Sequence, residues 1–237
     1  MILETKGLTK RFGGLTAVNE VDLRVDDNMI FGLIGPNGAG KTTFLNCITG
    51  ALKPSDGEIT FLGESNLEGS HPEVMCKKGM SRTFQISRPF PGLTVFENVH
   101  IGAVFGAGDK KKSARRRAEE ALDFVHLPLP KETLAGRLNA VQLKRLDLAR
   151  AYAGGPKLLL LDELAAGLTT GELEEIMELI RKIRDQGITI IVIEHIMKVI
   201  RGVCDRIAVL EYGKLIADGT RDEVMNNPRV IQAYLGR

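Results

Sequence analysis

The stretch GPNGAGKTTFLNCITG, residues 35–50, decides the fold of this chain. Its first eight residues, Gly35, Pro36, Asn37, Gly38, Ala39, Gly40, Lys41 and Thr42, fit the pattern GxxxxGK[ST]. The chemistry explains the spacing. Glycines let the backbone curl so that several N–H groups point inward and make an anion nest. A following helix adds its positive N-terminal end. Lys41 then reaches the β- and γ-phosphates of a nucleotide, the Thr42 hydroxyl ligates Mg²⁺, and Thr43 meets the α-phosphate. The competing reading is a Gly-rich strand–helix turn that matches by accident. The flanks speak against it: IFGLI at 30–34 reads as the entering strand, and TTFLNCI reads as the leaving helix.

A second signal lies downstream in LLLLDE, residues 158–163. Four leucines predict a strand buried on both faces. Asp162 at its end is a candidate Mg²⁺ ligand, acting through water, and Glu163 a candidate base for an attacking water. From 157 onward strand-like runs (KLLLLDE, ITIIVIE) alternate with helical ones (GELEEIMELIRKIRDQG, HIMKVIRGVC), and RIAVLE and KLIADG read as closing strands. That alternation predicts an α/β core with a mostly parallel sheet. Upstream, ILETKGL, VDLRV and EITFLG read as further strands. Between about 86 and 155 the texture changes: RPFPGLT is Pro-rich, and ARRRAEEALDFVHL and VQLKRLDLARAYA have helical spacing. A helical subdomain is expected there.

The 237 residues suffice to bury a sizeable core. A formal net charge of +2 gives no electrostatic footprint for nucleic acid, and no such partner is expected. The three cysteines, Cys47, Cys76 and Cys204, form no CxxC or His-Cys cluster, and read as reduced thiols. The N-terminus, charged within four residues, does not read as a signal peptide, and no apolar run is long enough to cross a bilayer. The basic run from Asp109 to Ala118 reads as a solvated loop leading into a helix; the alternative is a patch for acidic surfaces.

The phosphate loop, Gln85, the pentapeptide at 138–142, LLLLDE and His195 follow one another in the order and at the distances seen in ATP-binding cassette ATPases. The chain resembles that family over essentially its whole length. SRTFQISRPFPGLTVFENV (81–99) and the tail NNPRVIQAYLGR (226–237) are similar to the branched-chain amino acid transporter ATPases. The resemblance implies a P-loop NTPase fold of α/β class: a mostly parallel sheet core, an antiparallel β subdomain and an inserted helical subdomain. It implies one nucleotide-binding domain over 1–237, with a core of about 1–85 and 156–237 and a helical part of about 86–155. Phe12 matches the aromatic that stacks on adenine; its plain alternative is a core residue. Gln85 matches the residue that senses Mg²⁺ and the γ-phosphate, and His195 the one that contacts the γ-phosphate and positions Glu163. ATP and Mg²⁺ are the implied cofactors.

The implied partners are a second cassette ATPase, membrane permease subunits docking near Arg88 to Asn98, and indirectly a periplasmic or extracellular solute-binding protein. The implied place is the cytoplasmic face of the membrane, held peripherally. In this family two such domains pair head to tail, and each ATP is covered by the other domain's signature, usually Leu-Ser-Gly-Gly-Gln. Here that place reads Leu138-Asn139-Ala140-Val141-Gln142. Asn139 keeps a polar group suited to a helix N-cap, and with Gln142 it is the candidate contact to the partner's nucleotide. Ala140 and Val141 put Cβ atoms where backbone should approach phosphate. Leu164, Leu168-Thr169-Thr170 and Ile196 depart from the family pattern nearby. The expectation is an asymmetric heterodimer; a homodimer with a working variant signature remains the alternative. The main functional reading is an ATPase that energises an importer of branched-chain amino acids or related solutes. A weakly hydrolysing regulatory subunit and a soluble cassette protein acting on ribosomes or DNA are the two alternatives.

Overall fold

The computed structural model describes residues 1–108 and 112–235, with the side chains of all but the last two of these. Two sheets carry the fold. The first is antiparallel, in the order β2-β1-β4, from β1 (Leu3–Phe12), β2 (Leu15–Val25) and β4 (Asp56–Phe61). The second has six strands in the order β5-β6-β7-β3-β8-β9. Its members are β3 (Ile30–Ile34), β5 (Met80–Arg82), β6 (Leu158–Asp162), β7 (Thr189–Ile193), β8 (Arg206–Glu211) and β9 (Lys214–Thr220). All its pairs are parallel except β8 with β9.

The continuous apolar runs follow from burial on both faces. Along β3, β6, β7 and β8, alternate residues enter different cores. Ile30, Ile34, Leu159, Leu161, Ile190, Val192, Ile207 and Val209 join one cluster. Phe31, Leu33, Leu158, Leu160, Ile191, Ile193, Ala208 and Leu210 join the other. The second cluster is closed by the antiparallel sheet (Leu3, Leu8, Val21, Leu23, Ile59, Phe61) and by α1 (Lys41–Ile48) through Phe44, Leu45 and Ile48. The first is closed by α6 (Thr170–Asp185), α7 (Met197–Val203) and the helical insert. That insert comprises α3 (Val95–Phe105), α4 (Ala114–Phe124) and α5 (Ala140–Ala153), lying in sequence between β5 and β6.

Four elements go beyond the sequence reading. α2 (Pro72–Lys78) leads into the three-residue strand β5. The chain does not close on strands: α8 (Arg221–Met225) and α9 (Pro228–Leu235) come after β9. The basic run begins at Asp109, Lys110 and Lys111, which lie outside the described residues, as do Gly236 and Arg237 of the tail. The rest of the run enters α4 as a solvated helix face. Arg115 pairs with Glu119 at 3.2 Å, and Arg116 with Glu120 at 3.0 Å. The three cysteines are free, with Cys47 and Cys204 buried. Among the described residues no helix is long and apolar enough to cross a membrane.

Register places the site. Leu33 of β3 lies opposite Ile193 of β7, and Asp162 of β6 lies opposite the same residue. The carboxyl ends of the three strands therefore finish level. The loop after Ile34, the Asp162-Glu163 pair and the Glu194-His195 pair leave the sheet at one edge, where open α/β sheets bind ligands.

Candidate functional site

The loop from Gly35 to Gly40 needs its glycines for two reasons. Gly35 has φ +151°, and a Cβ there would stand 2.1 Å from the Leu210 carbonyl oxygen. Gly40 has φ +101°, and a Cβ would meet the Ala17 carbonyl oxygen at 2.3 Å. The loop is thus pressed against β8 at Gly35 and against β2 at Gly40, with no room for a side chain at either position. Gly40 caps α1 without any side-chain hydrogen bond, so the first-turn N–H groups are left to an anion. The Lys41 ammonium donates to the Gly35 carbonyl at 2.7 Å and the Pro36 carbonyl at 2.9 Å. Burial lowers its pKa, against the opposing pull of Glu163 and Asp162.

Across the edge, Asp162 is buried and accepts from the Arg82 guanidinium at 3.2 Å. Arg82 also donates to the Asn46 side chain of α1 at 2.7 Å, which ties strand β5 to the phosphate-loop helix. Burial raises the Asp162 carboxyl, and Arg82 opposes that rise. Thr42, Gln85, Arg82, Arg88 and Asp162 line one cavity of about 310 Å³. Its hydroxyl, amide and carboxylate form an all-oxygen set that suits Mg²⁺ completed by phosphate and water. Among the described residues there is no cluster of three or more His, Cys, Asp or Glu that could hold a metal by itself.

Glu163 is the meeting point. Its Oε2 accepts from Gln85 Nε2 at 2.8 Å, and its Oε1 lies 4.0 Å from His195 Nδ1. Its backbone has φ +50°, unusual for a residue with a Cβ. Gln85 is held at both flanks by α5. The Phe84 N–H donates to Asp147 Oδ2 at 2.9 Å, and Arg150 donates to the Arg88 carbonyl at 2.8 Å while also gripping Asp147. Asp147 is only 3% exposed. Burial raises its pKa, with Arg150 the chief opposing influence.

Two groups of sequence candidates stand apart from this cluster. Phe12 ends β1 beside the Gly13-Gly14 turn, 47% exposed, with the Lys10 ammonium 5.2 Å from its ring centre. It shares no hydrogen bond, ion pair or ring contact with the other candidates among the described residues. Asn139 and Gln142 begin α5 and bond each other reciprocally. Asn139 Oδ1 accepts the Gln142 N–H at 2.9 Å, and Gln142 Oε1 accepts the Asn139 N–H at 3.0 Å. Both line a separate cavity of about 640 Å³ with His126, Arg145 and Glu175.

Sequence reading missed Arg82, Lys144, Asp147 and Glu194. Asp147 had a signal: an acid inside the apolar stripe Leu143, Leu146, Ala149 of a helix. Arg82 and Glu194 had none, since their partners come from distant strands and helices.

A glycine loop feeding a helix N-terminus, with a carboxylate pair on the adjacent parallel strand, defines a P-loop nucleotide-binding protein. The comparisons narrow this: residues 18–166 match the family model for ABC transporter, and residues 214–237 that for branched-chain amino acid ATP-binding cassette transporter. The chain belongs to the ABC transporter family of ATP-binding subunits. It is 42% identical to the high-affinity branched-chain amino acid transport ATP-binding protein BraF of Pseudomonas aeruginosa, over 99% of this chain and 98% of that protein. A nucleotide-free ATP-binding cassette from an ABC transporter superposes with a TM-score of 0.88 at 30% identity, covering 100% of this chain and 99% of that one. A dimeric cassette in a post-hydrolysis state bound to ADP and Pi matches with a TM-score of 0.80 at 27% identity, over 92% and 98% of the two chains.

Proposed function

We propose that the chain is the ATP-hydrolysing subunit of an importer for branched-chain amino acids or related small solutes. It works peripherally at the cytoplasmic face of the membrane, against permease subunits and beside a second cassette ATPase. A solute-binding protein outside the membrane acts on it only indirectly. Its working parts are a core of about 1–85 and 156–237 and a helical unit of about 86–155. The observation that carries the reading is the meeting of Gln85 and His195 on Glu163, at the edge where the phosphate loop leaves the sheet. Full-length relatives named for branched-chain amino acid transport supply the substrate class.

In the reaction a water attacks the γ-phosphorus of ATP and the bond to the ADP oxygen breaks. Glu163 takes the proton of that water, and Gln85 and His195 orient it. Lys41 and the N–H groups at the start of α1 hold the phosphates. Thr42, the Gln85 amide oxygen and, through water, Asp162 would hold Mg²⁺, which would supply neutralisation of the phosphate charge. Phe12 offers its exposed ring to adenine. The test is ATP turnover and ATP binding by the purified chain and its Glu163→Gln form. Lost turnover with retained binding supports the reading; unchanged turnover refutes it.

The opposite nucleotide, bound by the partner, would be met by the start of α5. There the side-chain oxygens of Asn139 and Gln142 accept each other's backbone N–H, and Ala140 and Val141 carry Cβ atoms where the family pattern has glycine. A lost N–H contact to a charged group costs about 1.5–3 kcal/mol. This favours a heterodimer in which this chain's own phosphate loop hydrolyses and the partner's site is weak. In a reconstituted pair, Glu163→Gln in this chain then removes most activity; full activity would rule the asymmetry out.

A further inference from the structure

The segment after the catalytic carboxylate is held from two sides. Lys144, on α5, points its ammonium at three carbonyls: Leu164 at 2.9 Å, Glu163 at 3.4 Å, and Ala166. On the other side Glu194, 2% exposed at the end of β7, accepts the Ala165 N–H on Oε1 at 2.6 Å. Within the segment itself the bonds are long, Ala166 N–H to the Glu163 carbonyl at 3.4 Å and Leu168 N–H to the Ala165 carbonyl at 3.3 Å, while the Glu163 N–H continues the sheet to the Ile193 carbonyl at 2.9 Å. Yet Glu163 sits at φ +50°. Side chains with a Cβ avoid that region, and it persists only where surroundings over-determine it.

We propose that Lys144 is a positioning residue that holds Glu163 in its reactive backbone conformation, with Glu194 as the opposing half of the clamp. Three features separate this from ordinary packing. The ammonium makes no ion pair among the described residues, so all three of its donors serve backbone carbonyls of one four-residue segment. Glu194 keeps its second oxygen buried without a partner, a cost that a neutral or apolar side chain would avoid. The two grips come from elements with functional ends: Asn139 caps α5, and Glu194 adjoins His195. Any shift of α5 therefore reaches the Glu163 backbone through Lys144. This inference rests on Glu163 being the catalytic base, and the experiment separates the two.

Lys144→Met and Lys144→Arg are compared with the wild-type chain by hydrogen exchange over residues 163–168, ATP affinity and steady-state turnover. Lys144→Met is expected to speed exchange in that segment about tenfold or more and to lower turnover by a similar factor. ATP affinity stays within about threefold, because the phosphate loop is untouched, and Lys144→Arg recovers most of both losses. Should Lys144→Met fail to fold, Glu194→Ala, which removes the acceptor of the Ala165 N–H, is expected to speed exchange over the same segment. Unchanged exchange over 163–168 overturns the clamp, as does an equal loss of turnover and ATP affinity, which would mark general structural support. Wild-type turnover in Glu163→Gln overturns the base assignment instead, and leaves the exchange result to judge the clamp.

Discussion

Two separate elements aim at the carboxylate of Glu163, the residue proposed as the base. Gln85 arrives from the segment after β5, His195 from the end of β7, and the Glu163 backbone is bent by its own positive φ. A general base contributes about 10²–10⁴-fold. Glu163→Gln is therefore expected to lower turnover by about that factor while ATP binding persists, as read by a fluorescent nucleotide. Lys41 makes the opposite prediction. Its loss removes charge-assisted contacts to phosphate, so Lys41→Met should weaken ATP binding about tenfold or more. Calorimetric titration with ATP measures this directly. The two variants thus divide binding from chemistry at single positions.

α5 is the element that joins the site's parts. Its start carries Asn139 and Gln142, its middle carries Lys144 and Asp147, and Arg150 reaches the Arg88 carbonyl. Asp147→Ala would leave the part-buried Arg150 guanidinium and the Phe84 N–H without the buried carboxylate that pairs them. Breaking a buried pair this way costs about 3 kcal/mol. Chemical denaturation should report that loss, and Gln85 should become mobile. At the helix start, replacing Ala140 and Val141 by glycine frees backbone that could approach a phosphate. The expected outcome is tighter ATP-dependent pairing, measured by sedimentation of the Glu163→Gln form. Weaker helix propensity, about 1 kcal/mol per glycine, works against it.

Elements also show what a sequence exposes. The phosphate loop was legible because its glycines, lysine and threonine are local: strand, turn and helix are contiguous. β6 and β7 were legible because burial on both faces leaves unbroken apolar runs. β5 was not, because Met80, Ser81 and Arg82 have no strand pattern of their own and pair with Leu158 to Leu160 far along the chain. The Arg82–Asp162 ion pair and the Lys144 clamp were hidden for the same reason. Such contacts depend on which strands become neighbours.

For the whole molecule, three helices share one acid-sensitive device. Thr94, Thr169 and Thr220 each form a capping box with Glu97, Glu172 and Glu223. The carboxyl pKa is lowered in all three. For Glu97 the Thr94 backbone N–H is the larger cause, and for Glu172 and Glu223 the Thr169 and Thr220 hydroxyls are. A lowered folded pKa means stability that is present above the ordinary glutamate value, about pH 4.3, and lost as pH falls through the folded value. Replacing the three threonines by alanine should flatten the acid limb of a melting-temperature profile and leave its neutral limb parallel.

On the proposed reading this chain carries one full set of phosphate-loop, carboxylate and histidine groups, and meets the partner's nucleotide with the variant start of α5. ATP turnover by this subunit assembled with the second cassette ATPase of its importer tests that arrangement most directly, with Glu163→Gln placed in one subunit at a time. The substitution in this chain is expected to remove most of the turnover, and the equivalent change in the partner to remove little. Full turnover with Glu163→Gln in this chain would contradict that arrangement.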